Sequence, residues 1–373
     1  MSKGSKIVHA SSVHNPFDVR IFHKECRTLA DAGYDVVLVV PHERDETVYG
    51  VRIRAVPKPK NRLRRMLCTT WQVFRAAMEG KSPVVHLHDP ELLLAGLLLR
   101  ALGRRVIYDI HEDYVTSIRQ KEYLPRWVRA PLAGIWNWAE VAASRPFRII
   151  IAERYYARRF PKGAPILNYP VRRGVGRPAA SEGANADRPR VLYTGNVTRD
   201  RGALRCAEIA ALMEGVEVFV VGRCSNELVE EMRQIAGNGK ERLHMEGGDA
   251  FVPHERIEAY YAEEGWTAGL AVFPPSPHYM EKELTKLFEY MEAGIPVVCS
   301  DFPVWRAIVG ETGAGICVDP QDTTALTDAI RYLAEHPEEA ARMGRRGQEL
   351  VRTRYNWDAE AAKLLALYEV LTA

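Results

Sequence analysis

Glu281-Lys-Glu-Leu-Thr-Lys-Leu-Phe-Glu-Tyr-Met-Glu-Ala-Gly-Ile-Pro-Val-Val-Cys-Ser300 reads as loop, helix, tight turn and buried strand in immediate succession. A helix opened near Thr285 carries Glu289, Glu281 lies in the loop before it, and Ala-Gly-Ile-Pro turns the chain into the apolar run Val297–Ser300. A strand without polar alternation is covered on both faces, which is the condition of a strand in a parallel sheet. The same alternation runs outward in both directions. Upstream strands are expected at 6–10, 36–40, 51–55, 84–87, 106–109, 148–152 and 165–167, with a helix near 22–32. Nearer the opening stretch they are expected at 191–194, 216–221, near 243, at 270–273 and at 315–318, with helices over about 203–213 and 227–235. Short strands separated by longer helical patterns imply crossover helices and parallel sheets.

Residues 169–190, YPVRRGVGRPAASEGANADRPR, interrupt this rhythm with Pro, Gly, Ala and charge and few large apolar groups. They divide the chain into two doubly wound units. In such sheets ligands bind beyond the carboxyl ends of the strands, and two units with those ends on a common central cleft would make a bridging site. The charge divides there too. Residues 1–170 hold 28 Lys and Arg against 16 Asp and Glu, and the remainder holds 23 against 32, so the net +3 of the whole chain conceals halves of opposite sign.

Several classes are excluded. With 47% apolar residues the chain buries a real core, and the apolar run 92–99 ends at Arg100, far short of the roughly 20 residues of a membrane span. The N-terminal residues lack a long apolar segment with a cleavage site, so export is not expected and a cytoplasmic setting is. The six cysteines form no CxxC pair or metal-ligand spacing and read as small apolar residues in a reducing compartment.

Two carboxylates flanking a helix start, as Glu281 and Glu289 do, can accept hydrogen bonds from neighbouring sugar hydroxyls. The unpaired amides and positive dipole end between them suit phosphate. Together they describe a nucleotide sugar. The E-x7-E spacing followed by AGIPVV resembles the family-4 retaining glycosyltransferases of GT-B fold, two Rossmann-like domains facing a central cleft. The resemblance covers essentially the whole chain and implies an N-terminal acceptor-side domain (1–170), a linker (171–190), a nucleotide-sugar-binding domain (191–355) and a C-terminal helix (356–373) that crosses back to the first domain.

The same resemblance gives Glu289 the ribose and Glu281 the donor sugar. LYTGNVTRDRG, residues 192–202, is similar to the first strand and diphosphate loop of the family's donor domain. It implies a tight turn at Gly195 and a cation from Arg201. Asn196 stands where the commoner pattern has Arg, so Lys286 and Arg199 become candidates for the second charge, with Leu287 beside them. YDIHEDY, residues 108–114, resembles the strand-end histidine segment, which places His111, with Glu112 or Asp113 beside it, between donor sugar and acceptor. HNPFDVRIFHKE, residues 14–25, is similar to a variant found in an envelope and exopolysaccharide branch, with Asp18, Arg20, His23 and Lys24 lining the site and His88 and Asp89 on the acceptor side.

A retaining sugar transfer without a DxD motif implies no bound metal and no cofactor beyond the nucleotide-sugar co-substrate. The acceptor is expected to be a saccharide or lipid-linked molecule. Residues Arg52–Arg75, basic at first and bearing Trp71, suggest an anionic membrane surface and peripheral attachment at its inner face. No nucleic-acid motif accompanies the charge, and nucleic acid is not expected as a partner. A glycosyltransferase acting on a small soluble acceptor such as an antibiotic aglycone, a nucleotide-sugar epimerase and a non-catalytic binding subunit are the alternative readings.

Overall fold

The computed structural model describes residues 4–57, 70–79, 82–121, 124–171 and 188–372. Most of the 171–190 linker and residues 58–69 of the basic stretch lie outside them. The chain divides into two compact units, Met1–Asn168 with Trp357–Ala373, and Tyr169–Asn356.

In the first unit the strands are β1 (Lys6–Ala10), β2 (Asp35–Pro41), β3 (Glu46–Val48), β4 (Val51–Val56), β5 (Val84–Leu87), β6 (Arg105–Ile110), β7 (Arg148–Ile151) and β8 (Ala164–Pro165). Their order is β3-β4-β2-β1-β5-β6-β7-β8, parallel throughout except for the edge pair β3 and β4. The chain winds outward from β1 through β2 and returns to β5 on its other side. The loops after β1 and β5 therefore diverge at a topological switch point, the usual ligand position of such sheets.

Alternate residues of β1 enter opposite cores. Ile7 joins Ile21, Phe22, Leu38 and Ile107, whereas Val8 and Ala10 join Val85, Leu92, Leu99 and Tyr108. The first of these cores is closed by the C-terminal helix Trp357–Thr372, which contributes Trp357, Leu364, Leu367 and Tyr368. Each large apolar side chain so buried contributes roughly 1.5–3 kcal/mol. Polar ties fix the helix in register: Trp357 Nε1 donates to Thr28 Oγ1 at 2.9 Å, and Glu360 accepts from the Leu167 amide at 2.9 Å.

The second unit holds β9 (Arg190–Thr194), β10 (Glu217–Arg223), β11 (Leu243–Gly248), β12 (Trp266–Ala271), β13 (Val297–Ser300) and β14 (Gly315–Val318). All are parallel, in the order β11-β10-β9-β12-β13-β14, with the switch point between β9 and β12. The helix Thr285–Glu292 runs into β13 as the opening stretch of sequence implies. Among the described residues no helix is long and apolar enough to cross a membrane.

Candidate active site

At the switch point of the second unit, the loop after β9 turns at Gly195, where φ is +90°. It closes at Gly202, where φ is +78° and a Cβ would stand 1.9 Å from the carbonyl oxygen of Val272. The Tyr193 hydroxyl ties the two ends together by donating to the carbonyls of Asn196 (3.1 Å) and Arg201 (3.0 Å). Gly202→Ala adds both the clash and the left-handed strain, and is expected to cost at least 1–3 kcal/mol; an unchanged melting temperature would contradict this packing.

Within this loop the cations part company. Arg199 is exposed and ion-paired with Glu231 on a neighbouring helix. Arg201 turns the other way, donating from Nε to the Tyr279 hydroxyl at 3.1 Å, and that hydroxyl donates to Asp200 at 2.9 Å. Asn196 is exposed.

Lys286, in the first turn of the helix Thr285–Glu292, is buried, and its Nζ has no hydrogen-bond partner among the described residues. It sits 3.7 Å from the centre of the Tyr193 ring and 5.0 Å from that of Phe273, so ring faces are what hold the ammonium. Burial, reinforced by the nearby positive charge of Arg201, pushes its pKa down to about 7. Leu287 is fully buried, with its amide bonded to the Leu284 carbonyl.

One turn on, Glu289 accepts from the Tyr261 hydroxyl at 2.9 Å, and Tyr261 meets Thr194 Oγ1 at 2.7 Å. The Tyr290 hydroxyl accepts from the Thr194 amide at 3.0 Å. Glu281 follows the short helix Pro277–Met280 and is half-buried. The second unit thus assembles a ring-lined ammonium, a guanidinium and a positioned carboxylate around one switch point. Such a set can take a phosphate and a hydroxyl-bearing group together.

In the first unit the segment 14–25 folds into a wide helical turn, Val19–Cys26, capped by Asp18 through the amides of Arg20 (2.8 Å) and Ile21 (2.9 Å). Asp18 is therefore spent on the helix start. Arg20 points into the interior and grips Asp109 with two bonds, Nε at 2.8 Å and Nη2 at 2.7 Å. The carboxylate of Asp109 faces desolvation that would raise its pKa, but Arg20 holds it well below the usual range. Glu25 lies 3.1 Å from the same guanidinium; burial, with Asp109 beside it, pushes its pKa up. Lys24 is buried against the Asn168 side chain at 2.7 Å, and His23 packs edge-on against Phe22.

His111 Nδ1 lies 3.2 Å from Asp109, and its Nε2 lies 3.2 Å from Nε2 of His14. His14 in turn pairs with Asp89 at 3.0 Å and lies 3.8 Å from the half-exposed Glu112. Asp89 also accepts from the Ser12 amide at 2.6 Å, which joins the loops after β5 and β1. Burial opposes charge on His14, but its bond to Asp89 outweighs this and lifts the pKa to about 9; the same contact brings Asp89 down to about 2 against burial. His14 stays charged where an ordinary histidine does not.

Behind His111 lies a continuous polar network. His88 is 3.4 Å from Asp109 and 2.9 Å from His9. His86 and His9 both reach the Tyr368 hydroxyl of the C-terminal helix, at 2.8 and 3.2 Å. Two sets, His9–Glu25–His86–His88 and His88–Asp109–His111, bring their ligand atoms within 4.8 Å of one another, the spacing from which a metal could be held.

Several of these residues escaped the sequence reading. Tyr193, Tyr261, Tyr279 and Tyr290 offered no local signal, being ordinary aromatics of buried strands and helices. His86 and Asp109 did offer one: each stands two residues before a candidate, His88 and His111, a spacing that sets side chains on one side of extended backbone; Glu25, in the helical turn Val19–Cys26, offered none.

Two family models match this chain, "Glycosyl transferases group 1" over residues 179–350 and "Glycosyl transferase 4-like domain" over residues 19–162, one on each unit and most of the sequence between them. The chain belongs to the family-4 glycosyltransferases. This glycosyltransferase is 24% identical over 92% of its length, and 87% of the relative's, to the phosphatidyl-myo-inositol mannosyltransferase of Mycolicibacterium smegmatis. Among solved structures it matches the sucrose-phosphate synthase of Thermosynechococcus elongatus with a TM-score of 0.75 at 20% identity, covering 99% of each chain. It also matches Anabaena HepE, solved with UDP and glucose, with a TM-score of 0.71 at 13% identity, covering 98% of this chain and 99% of that one. The likeness over both full lengths is that of the GT-B fold.

Proposed function

We propose that this glycosyltransferase is a retaining enzyme that moves a sugar from a nucleoside-diphosphate sugar to a saccharide or lipid-linked acceptor of cell-envelope or exopolysaccharide synthesis. It works at the inner face of the membrane and uses no resident divalent metal. The observation that carries it is Lys286: a buried ammonium with no hydrogen-bond acceptor among the described residues is complete only when an anion arrives. A diphosphate is that anion. The mannosyltransferase relative, named for a phosphatidylinositol acceptor, supports the lipid-linked class, and the UDP found with HepE supports a nucleotide donor.

In this reading Lys286, Arg201 and the amides opening Thr285–Glu292 take the diphosphate, Glu289 holds the ribose and Glu281 the transferred sugar. His111, aligned by Asp109, meets the sugar on the acceptor side. As the bond from the anomeric carbon to the phosphate oxygen breaks, the acceptor oxygen bonds to the same face. Its proton passes to the departing phosphate oxygen, so no separate base is needed. Catalysis then comes mainly from fixed positive charge at the developing diphosphate.

Thermal-shift and turnover measurements with a panel of UDP-, GDP- and ADP-sugars test the reading, with NMR of the product anomer reporting retention and a chelator reporting metal dependence. No stabilisation and no slow hydrolysis by any donor would reject it; an inverted product would reject the retaining step alone. Glu289→Gln is expected to raise KM for the donor about tenfold with a smaller change in kcat, because a ribose contact is made equally in ground and transition states. A kcat loss at constant KM would move Glu289 to the reacting centre.

A further inference from the structure

The first unit turns large apolar side chains outward along two neighbouring helices. On Arg126–Ser144, Trp127 is 80% exposed, Ile135 65% and Trp138 72%. Their spacing of 8 and 3 residues sets them on one helical stripe, and Pro131 and Gly134, both exposed, fall between them on the same stripe. The adjoining helix Leu93–Ala101 turns Leu94 and Leu98 outward, and Leu102 follows at its end. Exposed tryptophans and leucines repeated along two packed helices form a patch rather than scattered surface residues.

The chain segments that carry the patch have charge of one sign. No Asp or Glu occurs from Leu92 to Tyr108, from Leu124 to Ala139 or from Val141 to Ala152, whereas Arg100, Arg126 and Arg145 are exposed in those same segments. The single acid of the longer helix, Glu140, is turned inward, accepting from Tyr108 at 2.7 Å and pairing with Arg159. By contrast, the described end of the basic stretch marked in the sequence is neutralised: Arg52 pairs with Asp35, and Arg54 with Asp45 and Glu79.

We propose that this face, Leu94–Leu102 with Trp127–Trp138, is a docking surface for an anionic phospholipid membrane. Tryptophan rings belong at the headgroup level, leucine and isoleucine reach the acyl boundary, and the arginine rim meets lipid phosphates. A second copy of the chain fits poorly. In a two-fold dimer the same patch faces itself, which brings the arginine rim against an identical rim with no acid to answer it. The proposal is independent of the acceptor's identity and of the sugar-transfer reading.

Sedimentation of the full chain with vesicles of phosphatidylcholine alone, and with added phosphatidylglycerol, tests it at low and physiological salt. The wild type is expected to pellet with the anionic vesicles. Trp127→Ser with Trp138→Ser is expected to lower the partition coefficient at least about tenfold, since two interfacial rings are lost. Arg52→Ser with Arg54→Ser is expected to leave it nearly unchanged. Both variants should keep the melting temperature and the donor hydrolysis of the wild type, because the substituted side chains are solvent-exposed and outside the donor unit. Absence of vesicle binding by the wild type, binding by the tryptophan variant equal to wild type, or a concentration-dependent dimer abolished by that variant would each overturn the proposal.

Discussion

Lys286→Met is expected to lower the turnover of sugar transfer by about 10²–10³-fold while raising the melting temperature of the ligand-free protein. The two effects have one origin. Lys286 is nearly out of water, has no hydrogen-bond acceptor among the described residues and rests on the faces of Tyr193 and Phe273. An unpaired ammonium in such a place destabilises the empty protein, and a methionine of similar length removes that cost. The same ammonium contributes most when a diphosphate carries developing charge in low dielectric, so its loss falls on kcat. A destabilised variant with wild-type turnover would make Lys286 a structural residue.

The acid–base behaviour of Lys286 provides a second measurement. Its pKa is about 7 in the folded protein against an ordinary value of 10.5. Between those values the unfolded chain holds a proton that the folded one lacks, so stability rises with pH from about 7 upward and the penalty is fully present below. A bound diphosphate restores the charge. At pH 8, calorimetric titration with a nucleoside diphosphate should therefore show proton uptake, visible as a heat that changes with the ionisation enthalpy of the buffer, and Lys286→Met should abolish it. Buffer-independent heats in the wild type would remove the diphosphate from Lys286.

The two sheets were legible because parallel strands covered on both faces are continuous apolar runs, and Val297–Ser300 or Val84–Leu87 cannot be read otherwise. The short antiparallel β3, Glu46–Val48, was not legible: three residues at a sheet edge, preceded by Glu43 and Asp45, carry no period. At most strand ends the reading drifted by one or two residues, but at β12, expected at 270–273 and found at Trp266–Ala271, it missed the first four residues and ran two past the end of pairing. The candidate donor residues could be named because Arg201, Lys286 and Glu289 stand in short local motifs. What surrounds them could not, since Tyr193 meets Lys286 and Thr194 meets Tyr261 and Tyr290 only after the sheet has formed. The same holds for Arg20. The family resemblance of segment 14–25 set it among residues lining the site; the fold pairs its guanidinium with a carboxylate 89 residues away.

That commitment makes Arg20→Ala the most damaging substitution expected in the first unit. The guanidinium is 4% exposed and pairs with Asp109 at both oxygens while lying beside Glu25. Removing it leaves a buried carboxylate without its cation and next to a second carboxyl group, and breaking a buried pair from one side costs about 3–5 kcal/mol. Arg20→Lys keeps the charge but loses the two-pronged geometry, and is expected to recover only part of the loss. Arg20→Met combined with Asp109→Asn removes both charges and should be less damaging than the sum of the single changes, since the two residues are coupled. Because Asp109 is held below the usual carboxylate range, its contribution is complete above about pH 4 and disappears only as acid titrates it. Hydrogen exchange localises the effect: amides of β6 should open more easily by about 3–5 kcal/mol in Arg20→Ala, while those of β9 in the other unit stay as they are. If the β6 amides changed by less than about 1 kcal/mol, close to the value of an exposed pair, the Arg20–Asp109 contact would not be what holds His111 in place.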